Sequence, residues 1–268
     1  MESNWQRCLV ALLLAAFVQR GESIPPFLQR RAAKPLTALP LNATAEDLRW
    51  QPSMDFDKNG CYNVPAIDKN GNISPGLPHD FVSPSSNCHD LADLLSNNVY
   101  SRQRCNNGWC AYLYDYYFEK DVAIPYFIDI GHKYDWEHIA VWVRDGKAQY
   151  VAASQHGEYL VKAAADVRWD GEHPKMVYHK DGSVGTHCFR FATAADDAIE
   201  NDLGVWFRGD LVSYNGFPPG IREKLYAHDF GDAHIALSDS SFPGNLGRAK
   251  PKDITFDTGS DEGSPGVP

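Results

Sequence analysis

The chain of 268 residues carries a formal net charge of −10 at pH 7, from 25 Lys and Arg against 35 Asp and Glu. An acidic protein gains nothing from bulk electrostatic attraction to nucleic acid or to anionic lipid, so polyanion-binding functions are disfavoured and no nucleic-acid partner is predicted. Contact with a membrane would therefore need a local site.

The first 45 residues are predicted to precede the folded domain. Residues 1–23 place a basic residue ahead of the apolar run from Cys8 to Val18 and then small residues, which is the layout of a secretory signal peptide. The run is shorter than the roughly 20 apolar residues that a membrane-spanning helix needs, so an anchor is disfavoured. Residues 24–45 are rich in proline and are predicted to form a flexible leader or pro-segment. Within it, Arg30-Arg31 is either a dibasic processing site or an incidental exposed pair.

Five cysteines remain once Cys8 leaves with the signal peptide, an odd number for a chain bound for an oxidising compartment. Cys105 and Cys110 bracket the short CNNGWC segment and can pair locally. Cys61 and Cys88 can close the loop between them. Spacing alone leaves the connectivity open, and we predict these two pairs with Cys188 reduced.

The remaining residues divide into one domain and a tail. Residues 46–250 are enough for a single compact domain with a substantial core, whereas residues 251–268 have the composition of a disordered acidic tail. Asn42 in NAT and Asn72 in NIS match the acceptor pattern for N-glycosylation.

The strongest local signals inside the domain are those of β-strands. IAVWV and KAQYVAAS flank an Asp145-Gly146 turn, and KMVYHKDGSVGTHCFRFA repeats this hairpin pattern with a longer loop. The aromatic run WCAYLYDYYF at residues 109–118 is also β-prone. Helices are predicted only near residues 89, 196 and 218, in HDLADLLSN, ADDAIEND and PPGIREKLY. The pattern predicts a mainly β fold, an antiparallel β-sandwich flanked by short helices.

The stretch GHKYDWEHIAVWV, residues 131–143, places ionisable groups directly before an apolar strand. Because side chains alternate between faces along a strand, this stretch divides into two sets. One face carries Asp135, Glu137, Ile139, Val141 and Val143, and the other carries Trp136, His138, Ala140 and Trp142. Two carboxylates at the end of a buried row repel each other unless a cation lies between them. His132 is out of phase with them, but the chain can bend at Gly131 and bring its imidazole to the same point.

This set of donors suits a hard divalent cation. Carboxylate, carbonyl and water oxygens are the ligands of Mg²⁺ and Ca²⁺, and a single histidine does not make the nitrogen- and sulfur-rich site typical of zinc. Charged residues at a strand entrance are nevertheless more often a solvated rim or an ion-pair network, here with Lys133. The residues alone therefore leave the metal site as one of two alternatives.

The same stretch closely resembles the signature GHRHDWE of the necrosis- and ethylene-inducing-like proteins, the NPP1 family secreted by plant-associated oomycetes, fungi and bacteria. Further family landmarks follow in the family's order from about residue 50 to 250. They are CYNVPAIDKNGNISPGL with the second cysteine at Cys88, YYFEKD at 116–121, YHKDG at 178–182, THCFRFA at 186–192 and FPGNL at 242–246.

The resemblance implies a β-sandwich similar to that of actinoporins and fungal lectins, and a cytolysin rather than an enzyme. It implies binding to the terminal hexose of plant sphingolipid head groups, glycosylinositol phosphorylceramides, and divalent-metal-dependent damage to the outer leaflet of the host membrane. We accordingly expect a protein secreted to the host apoplast and monomeric in solution.

Carried over by motif, the metal ligands are His132, Asp135, Glu137 and an upstream aspartate. Asp121 matches the aspartate of the family's FPKD, and Asp129 is its rival because VAIPYFIDI lengthens the following loop. The resemblance also implies that two histidines line the ligand pocket, His156 and His187.

The heptad departs from the family signature at two positions that are predicted to contact the ligand. Lys133 replaces an arginine and loses its planar fork, and Tyr134 replaces a histidine and loses a titratable group. Metal binding can survive both changes while lytic potency falls, so a non-cytotoxic member that binds a glycan or a host receptor is the alternative function. A metal-dependent hydrolase is the third, because His132, Glu137 and a bound water supply the minimum parts of general-base chemistry.

Overall fold

The computed structural model describes residues 34–79, 82–123, 131–183 and 185–263. Its largest sheet has six strands, which are β2 (Asn98–Asn106), β3 (Trp109–Phe118), β6 (Asp135–Arg144), β7 (Lys147–Gln155), β8 (Glu158–Ala163) and β12 (Asp210–Ser213). Their order in the sheet is β12-β2-β3-β6-β7-β8. The predicted hairpin at Asp145-Gly146 joins β6 to β7, with both turn residues at positive φ as a tight hairpin requires.

A second sheet contains β1 (Ser53–Phe56), β9 (Trp169–Asp170), β10 (His173–Lys180) and β11 (His187–Phe191), and β4 (Asp121–Val122) pairs with β5 (Gly131–His132). Strands β10 and β11 form the second predicted hairpin. The prediction of a purely antiparallel sandwich was wrong in one respect, because β1 runs parallel to β10 and β12 runs parallel to β2. The similarity to actinoporins and lectins stays a prediction.

Both faces of β6, which lies inside the six-stranded sheet, are buried, and its sequence explains this. Ile139, Val141 and Val143 pack in one core with residues of the second sheet such as Tyr178 and Phe189. The other face packs in a second core, formed by Trp136, Ala140, Trp142, Leu237, Phe242 and Leu246. A strand buried on both sides is apolar at nearly every position, as IAVWV is. The predicted division of β6 into two faces is confirmed.

The helices are short, as expected. They are α1 (Ala45–Trp50), α2 (Leu91–Leu95), α3 (Ile221–Tyr226) and α4 (Phe242–Ala249). The segment predicted near residue 196 forms a 3₁₀ turn, Ala194–Asp197, and α1 and α4 were not predicted. In the described part of the chain, no helix has the length and apolar character needed to cross a bilayer.

The cysteine pairing follows the prediction. Cys61 bonds to Cys88, Cys105 bonds to Cys110 across the β2–β3 hairpin, and Cys188 is free and buried. Asn42 and Asn72 are exposed, and each side-chain amide donates a hydrogen bond, to the Gly216 carbonyl and the Asp68 carboxylate respectively. Glycosylation stays a prediction.

Both ends of the domain extend beyond their predicted limits. The leader was predicted to run to residue 45, but Leu39 is 1% exposed and the Asn42 amide nitrogen donates to the Leu211 carbonyl. The tail was predicted to be disordered from 251, but Phe256 is buried and packs edge-on against Trp142 with ring centroids 4.9 Å apart. These contacts place the described residues of both segments in the fold. The signal peptide and Arg30-Arg31 lie outside the described residues.

Candidate metal and ligand site

The short β4–β5 pair brings the first two predicted ligands together. Asp121 lies directly opposite His132 in this ladder. The close approach requires glycine at residue 131, because a Cβ atom there would lie 2.4 Å from the Asp121 carbonyl oxygen. Sequence positions eleven residues apart thus meet at one point. Asp129, the rival to Asp121, lies outside the described residues.

The start of β6 supplies the carboxylates. Ligand atoms of Asp121, His132 and Asp135 all lie within 4.8 Å of one another, and we call these three residues the donor cluster. Glu137 is two residues further along β6 and is buried, so it lies on the same strand face as Asp135. The structure therefore brings the four predicted ligands to one region, with Glu137 outside the tight group of three.

Hydrogen bonds orient each carboxylate. Asp121 accepts from the His187 backbone nitrogen at 2.8 Å and from His187 Nδ1 at 2.6 Å. Tyr178 donates its hydroxyl to Asp135 Oδ2 at 2.9 Å, and Ser154 donates its hydroxyl to Glu137. Each carboxylate keeps lone pairs beyond these bonds, because an ionised carboxylate has about four acceptor positions.

His132 presents one nitrogen to the cluster. Its Nδ1 contacts the Tyr134 carbonyl oxygen, which can only accept a hydrogen bond, so Nδ1 carries the proton. Its Nε2 lies 4.0 Å from Asp121 Oδ2. In the neutral ring Nε2 then has a free lone pair, which is the arrangement that orients a metal-binding histidine.

Burial and mutual repulsion make the acids of this site reluctant to ionise together. Burial, with repulsion from Asp121, raises the pKa of Asp135 to about 6. Burial and repulsion from Asp135 raise the pKa of Glu137 well above its usual value. Burial lowers the pKa of His132, but attraction to Asp135 and Asp121 outweighs it, so that this pKa is raised. A cation placed among these groups would relieve the repulsion.

The donor set fits a hard divalent cation. Its oxygen atoms come from buried carboxylates, only one histidine contributes, and no cysteine belongs to the cluster. Ca²⁺ and Mg²⁺ take oxygen ligands and accept waters or ligand hydroxyls at their remaining positions. The residues present would hold such an ion between Asp121, His132 and Asp135.

The donor cluster opens into a cavity of about 220 Å³. This volume lies below the roughly 300–1,000 Å³ typical of pockets for drug-sized ligands, so a single sugar ring is a better match than an oligosaccharide. The lining residues are Asp121, His132, Asp135, Trp136, Glu137, His138, Ser154, His156, Gly157, Tyr159, Thr186, His187, Asp232, Ala233, His234, Asn245 and Arg248.

The two predicted pocket histidines differ in their roles. His187 is 3% exposed and holds Asp121, so it supports the donor cluster. His156 is exposed at the β7–β8 turn, where its Nε2 lies 3.0 Å from Asp181 Oδ2. Its ring therefore forms part of the rim of the cavity.

Lys133 and Tyr134, predicted to contact the ligand, are not among the cavity-lining residues. The Tyr134 ring packs edge-on against Phe230, with centroids 5.2 Å apart, and lies 6.3 Å from the Tyr117 ring. The Lys133 ammonium nitrogen lies 4.9 Å from the centre of the Tyr134 ring. The described geometry gives both residues a packing role beside the site.

The sequence interpretation missed the part of the cavity that comes from α4 and β8. Tyr159, Asn245 and Arg248 line the cavity but lie far from the signature in sequence. The i, i+3 spacing of Asn245 and Arg248 was a local signal of one helix face. Only the tertiary fold shows that this face borders the donor cluster.

Comparison with known proteins places this fold and site in context. The model of the family "Necrosis inducing protein (NPP1)" matches residues 44–249. The necrosis-inducing protein NPP1 of Phytophthora nicotianae is 30% identical over 250 residues, which cover 90% of this chain and 98% of that protein. NLP effector protein 10 of Phytophthora capsici is 29% identical over 246 residues, which cover 90% of this chain and 94% of that protein.

Solved structures are similar over most of their length. Necrosis and Ethylene inducing Protein 2 from the causal agent of cocoa's Witches Broom disease has a TM-score of 0.68 at 25% identity, over 83% of this chain and 98% of that chain. NLPPya in complex with mannosamine, and again with glucosamine, has a TM-score of 0.67 at 27% identity, over 84% of this chain and 99% of that chain. The non-toxic HaNLP3 protein shares the fold, with a TM-score of 0.67 at 22% identity over 81% of this chain and 99% of that chain.

Proposed function

The chain belongs to the necrosis inducing protein (NPP1) family, and on that premise we propose that it is a secreted cytolytic effector of plant membranes. It binds the terminal hexose of a glycosylinositol phosphorylceramide through a divalent cation and damages the outer leaflet. The observation that carries this proposal is the donor cluster beside a cavity that matches one sugar ring. Structures of the relative NLPPya with mannosamine and glucosamine support a sugar as the ligand.

The side chains of the site divide the work. Asp121, His132 and Asp135 would hold the cation, and the hydrogen bonds from His187 and Tyr178 fix the positions of Asp121 and Asp135 respectively. When bound, Ca²⁺ or Mg²⁺ neutralises the carboxylates and offers coordination positions to sugar hydroxyl oxygens. The remaining lining residues enclose the sugar ring, so that binding depends on its size as well as on its hydroxyl groups.

We propose that the protein acts by binding and not by turnover. Glu137 is the base of the alternative hydrolase hypothesis. It accepts a hydrogen bond from the Ser154 hydroxyl and is 7% exposed. A general base must reach the proton that it removes, directly or through one water. Incubation of the protein with plant sphingolipid in Ca²⁺ should release neither free sugar nor phosphate, as measured by mass spectrometry.

Flotation of vesicles tests the binding step. Vesicles of neutral phospholipid, with or without glycosylinositol phosphorylceramide, are mixed with the mature protein in Ca²⁺, in Mg²⁺ or in excess chelator. The protein should float only with vesicles that contain the sphingolipid, and only when a cation is present. Equal flotation in chelator would show that binding does not need the cation. Equal flotation with vesicles of phospholipid alone would show that binding does not need the sugar head group.

A non-lytic binding protein is the second candidate. The exchange of the family's arginine and histidine for Lys133 and Tyr134 favours it, because Tyr134 packs against Phe230 outside the cavity lining. The fold does not separate the two candidates, since the non-toxic HaNLP3 protein also has it. Flotation without leakage of vesicle contents would identify the non-lytic function.

A further inference from the structure

Beside the donor cluster, the cavity wall carries a second set of polar groups. His138 and Arg248 each line the cavity, and each is held by a second residue that is buried. We call His138, Tyr159 and Arg248 the polar wall. Nothing in the cation-binding role of the site uses these side chains.

His138 is a buried imidazole with one nitrogen left for a ligand. It is 9% exposed, and its Nδ1 lies 2.7 Å from Asp115 Oδ1. Asp115 is fully buried, and its other oxygen accepts the backbone N–H of Ala236 at 2.9 Å. Because the carboxylate takes the hydrogen on Nδ1, the neutral ring keeps a lone pair on Nε2, for which the described residues offer no hydrogen-bond partner. A ligand hydroxyl in the cavity can donate to it.

Arg248 is a cation without a described acidic partner. Its guanidinium donates to Asn245 Oδ1 at 2.6 Å, and Tyr159 donates its hydroxyl to the same oxygen at 3.1 Å. In the described part of the chain, no carboxylate lies within ion-pair distance of Arg248. A guanidinium has five N–H donors in a planar fork, so most of them remain available to an anion.

Tyr159 connects the two ends of the polar wall. Its ring lies nearly parallel to the His138 ring, with centroids 6.4 Å apart, and its hydroxyl shares the Asn245 acceptor with Arg248. The hydroxyl acceptor and the guanidinium are therefore held at fixed positions on one wall. Their chemistry matches a sugar ring that presents a hydroxyl group and an acidic substituent.

We propose that the polar wall selects an acidic monosaccharide unit. Arg248 binds the anionic oxygens of this sugar, and His138 accepts a hydrogen bond from one of its hydroxyl groups. This inference rests on the proposed function, because the cation at the donor cluster binds the other hydroxyls of the same ring. It adds a substrate class, because the sugar ring in the cavity then carries an acidic group, as a uronate or a sugar phosphate does. The exposed Asp232 at the cavity would repel the anion, so Arg248 has to outweigh it.

Titration calorimetry in Ca²⁺ compares four ligands, namely glucuronate, glucose 6-phosphate, glucose and glucosamine. At least one acidic sugar should bind about tenfold or more tightly than glucose, the ratio expected for a charge-assisted hydrogen bond. Comparison of glucuronate with glucose 6-phosphate shows whether the polar wall prefers a carboxylate or a phosphate. The preference should weaken as the salt concentration rises.

Variants assign the preference to residues. Arg248→Gln should remove the preference for the acidic sugar, so that glucose and the acidic sugar bind with similar affinity. Arg222→Gln, which removes a half-buried arginine that bonds to Tyr214 and Glu223 outside the cavity, should keep the preference. His138→Asn keeps a donor toward Asp115 but lacks Nε2. It should lower the affinity for all four sugars by a similar factor, with an unchanged melting temperature.

The outcomes separate this inference from the proposed function. Binding of glucose and glucosamine without a preference for acid, or an acid preference that survives Arg248→Gln, would overturn the role of the polar wall and leave the sugar site intact. If no sugar binds in Ca²⁺ or in Mg²⁺, both the sugar site and the polar wall are refuted.

Discussion

Asp135 is the residue whose charge links stability to cation binding. It is 5% exposed and shares the donor cluster with Asp121 and His132. Its pKa of about 6 means that Asp135 ionises less readily in the folded chain than in the unfolded chain, so its charge lowers the free energy of unfolding at neutral pH. Asp135→Asn keeps the shape and an acceptor for Tyr178 while it removes that charge.

We predict opposite effects of Asp135→Asn with and without the cation. In chelator at pH 7, the variant should be more stable than the wild type by roughly 1–3 kcal/mol, because a costly buried charge is gone. In Ca²⁺ at about 100 times its Kd, the wild type should gain about 2.7 kcal/mol and the variant nothing. Urea unfolding in both media measures this. The exposed Asp166→Asn is the control, and a variant that still gains stability from Ca²⁺ would show that Asp135 is not a ligand.

His179 gives the fold an acid sensitivity that is independent of the cation. Burial, with repulsion from Arg190, lowers the pKa of His179 to about 4, and its Nε2 lies 3.6 Å from the Cys188 sulfur. The unfolded chain therefore binds a proton near pH 6.5, before the native state does. This contribution to stability is present above pH 6.5 and is lost as the pH falls toward 4.

His179→Gln should remove that part of the pH profile. Relative to the variant, the wild type should lose roughly 1–3 kcal/mol of unfolding free energy between pH 7 and pH 4. Urea unfolding at several pH values in chelator measures the difference, so that other titrating groups contribute equally to both proteins. Parallel profiles of the two proteins would mean that His179 titrates alike in the folded and unfolded states.

At the scale of elements, the β4–β5 pair determines the geometry of the donor cluster. Gly131→Ala would place a Cβ atom 2.4 Å from the Asp121 carbonyl oxygen, so the two strands must separate. The distance from His132 to Asp121 then grows, and we predict at least about a tenfold loss of Ca²⁺ affinity by calorimetry, comparable to the loss of a supporting contact at a metal site. Gly244→Ala, where a Cβ meets nothing within 4 Å, is the control. Unchanged Ca²⁺ affinity in Gly131→Ala would show that the close β4–β5 pairing does not determine the geometry of the donor cluster.

Local sequence signals predicted the hairpins but not the parallel pairings. Asp145-Gly146 marks a turn whose strands must pair with each other, whereas β1 pairs with β10 across more than a hundred residues that carry no register signal. Helix α4 was missed because FPGNLGRA contains Pro243, Gly244 and Gly247, which are weak helix formers. The packing of the C-terminal segment was missed because its buried apolar residues Ile254 and Phe256 stand among polar residues in the sequence.

The donor cluster was predictable from sequence and the polar wall was not. Three of the four predicted ligands lie within six residues, and the family resemblance supplied Asp121. His138 was assigned correctly to the strand face opposite Glu137, but its partner Asp115 lies on β3 and can be paired with it only in the folded sheet. Arg248 reaches the cavity from α4, more than a hundred residues away, and no local pattern connects the two.

At the scale of the whole molecule, the net negative charge opposes binding to an anionic membrane, whereas the cation-loaded sugar site favours membrane binding. A net charge of −10 repels anionic phospholipid, so approach to the bilayer gains nothing from the bulk of the surface. The donor cluster concentrates part of this negative charge at the cavity until a cation binds. In this account, the cation therefore controls both the local charge and the recognition of the sugar, and the membrane effect should depend on it.

Dye release from vesicles that contain glycosylinositol phosphorylceramide tests this account most directly, with wild type, Asp135→Asn and Asp166→Asn compared at equal concentration in Ca²⁺ and in excess chelator. We expect dye release by the wild type and by Asp166→Asn in Ca²⁺, and only background release by Asp135→Asn in Ca²⁺ and by all three proteins in chelator. Equal release by the wild type in Ca²⁺ and in chelator, or full release by Asp135→Asn, would contradict the account.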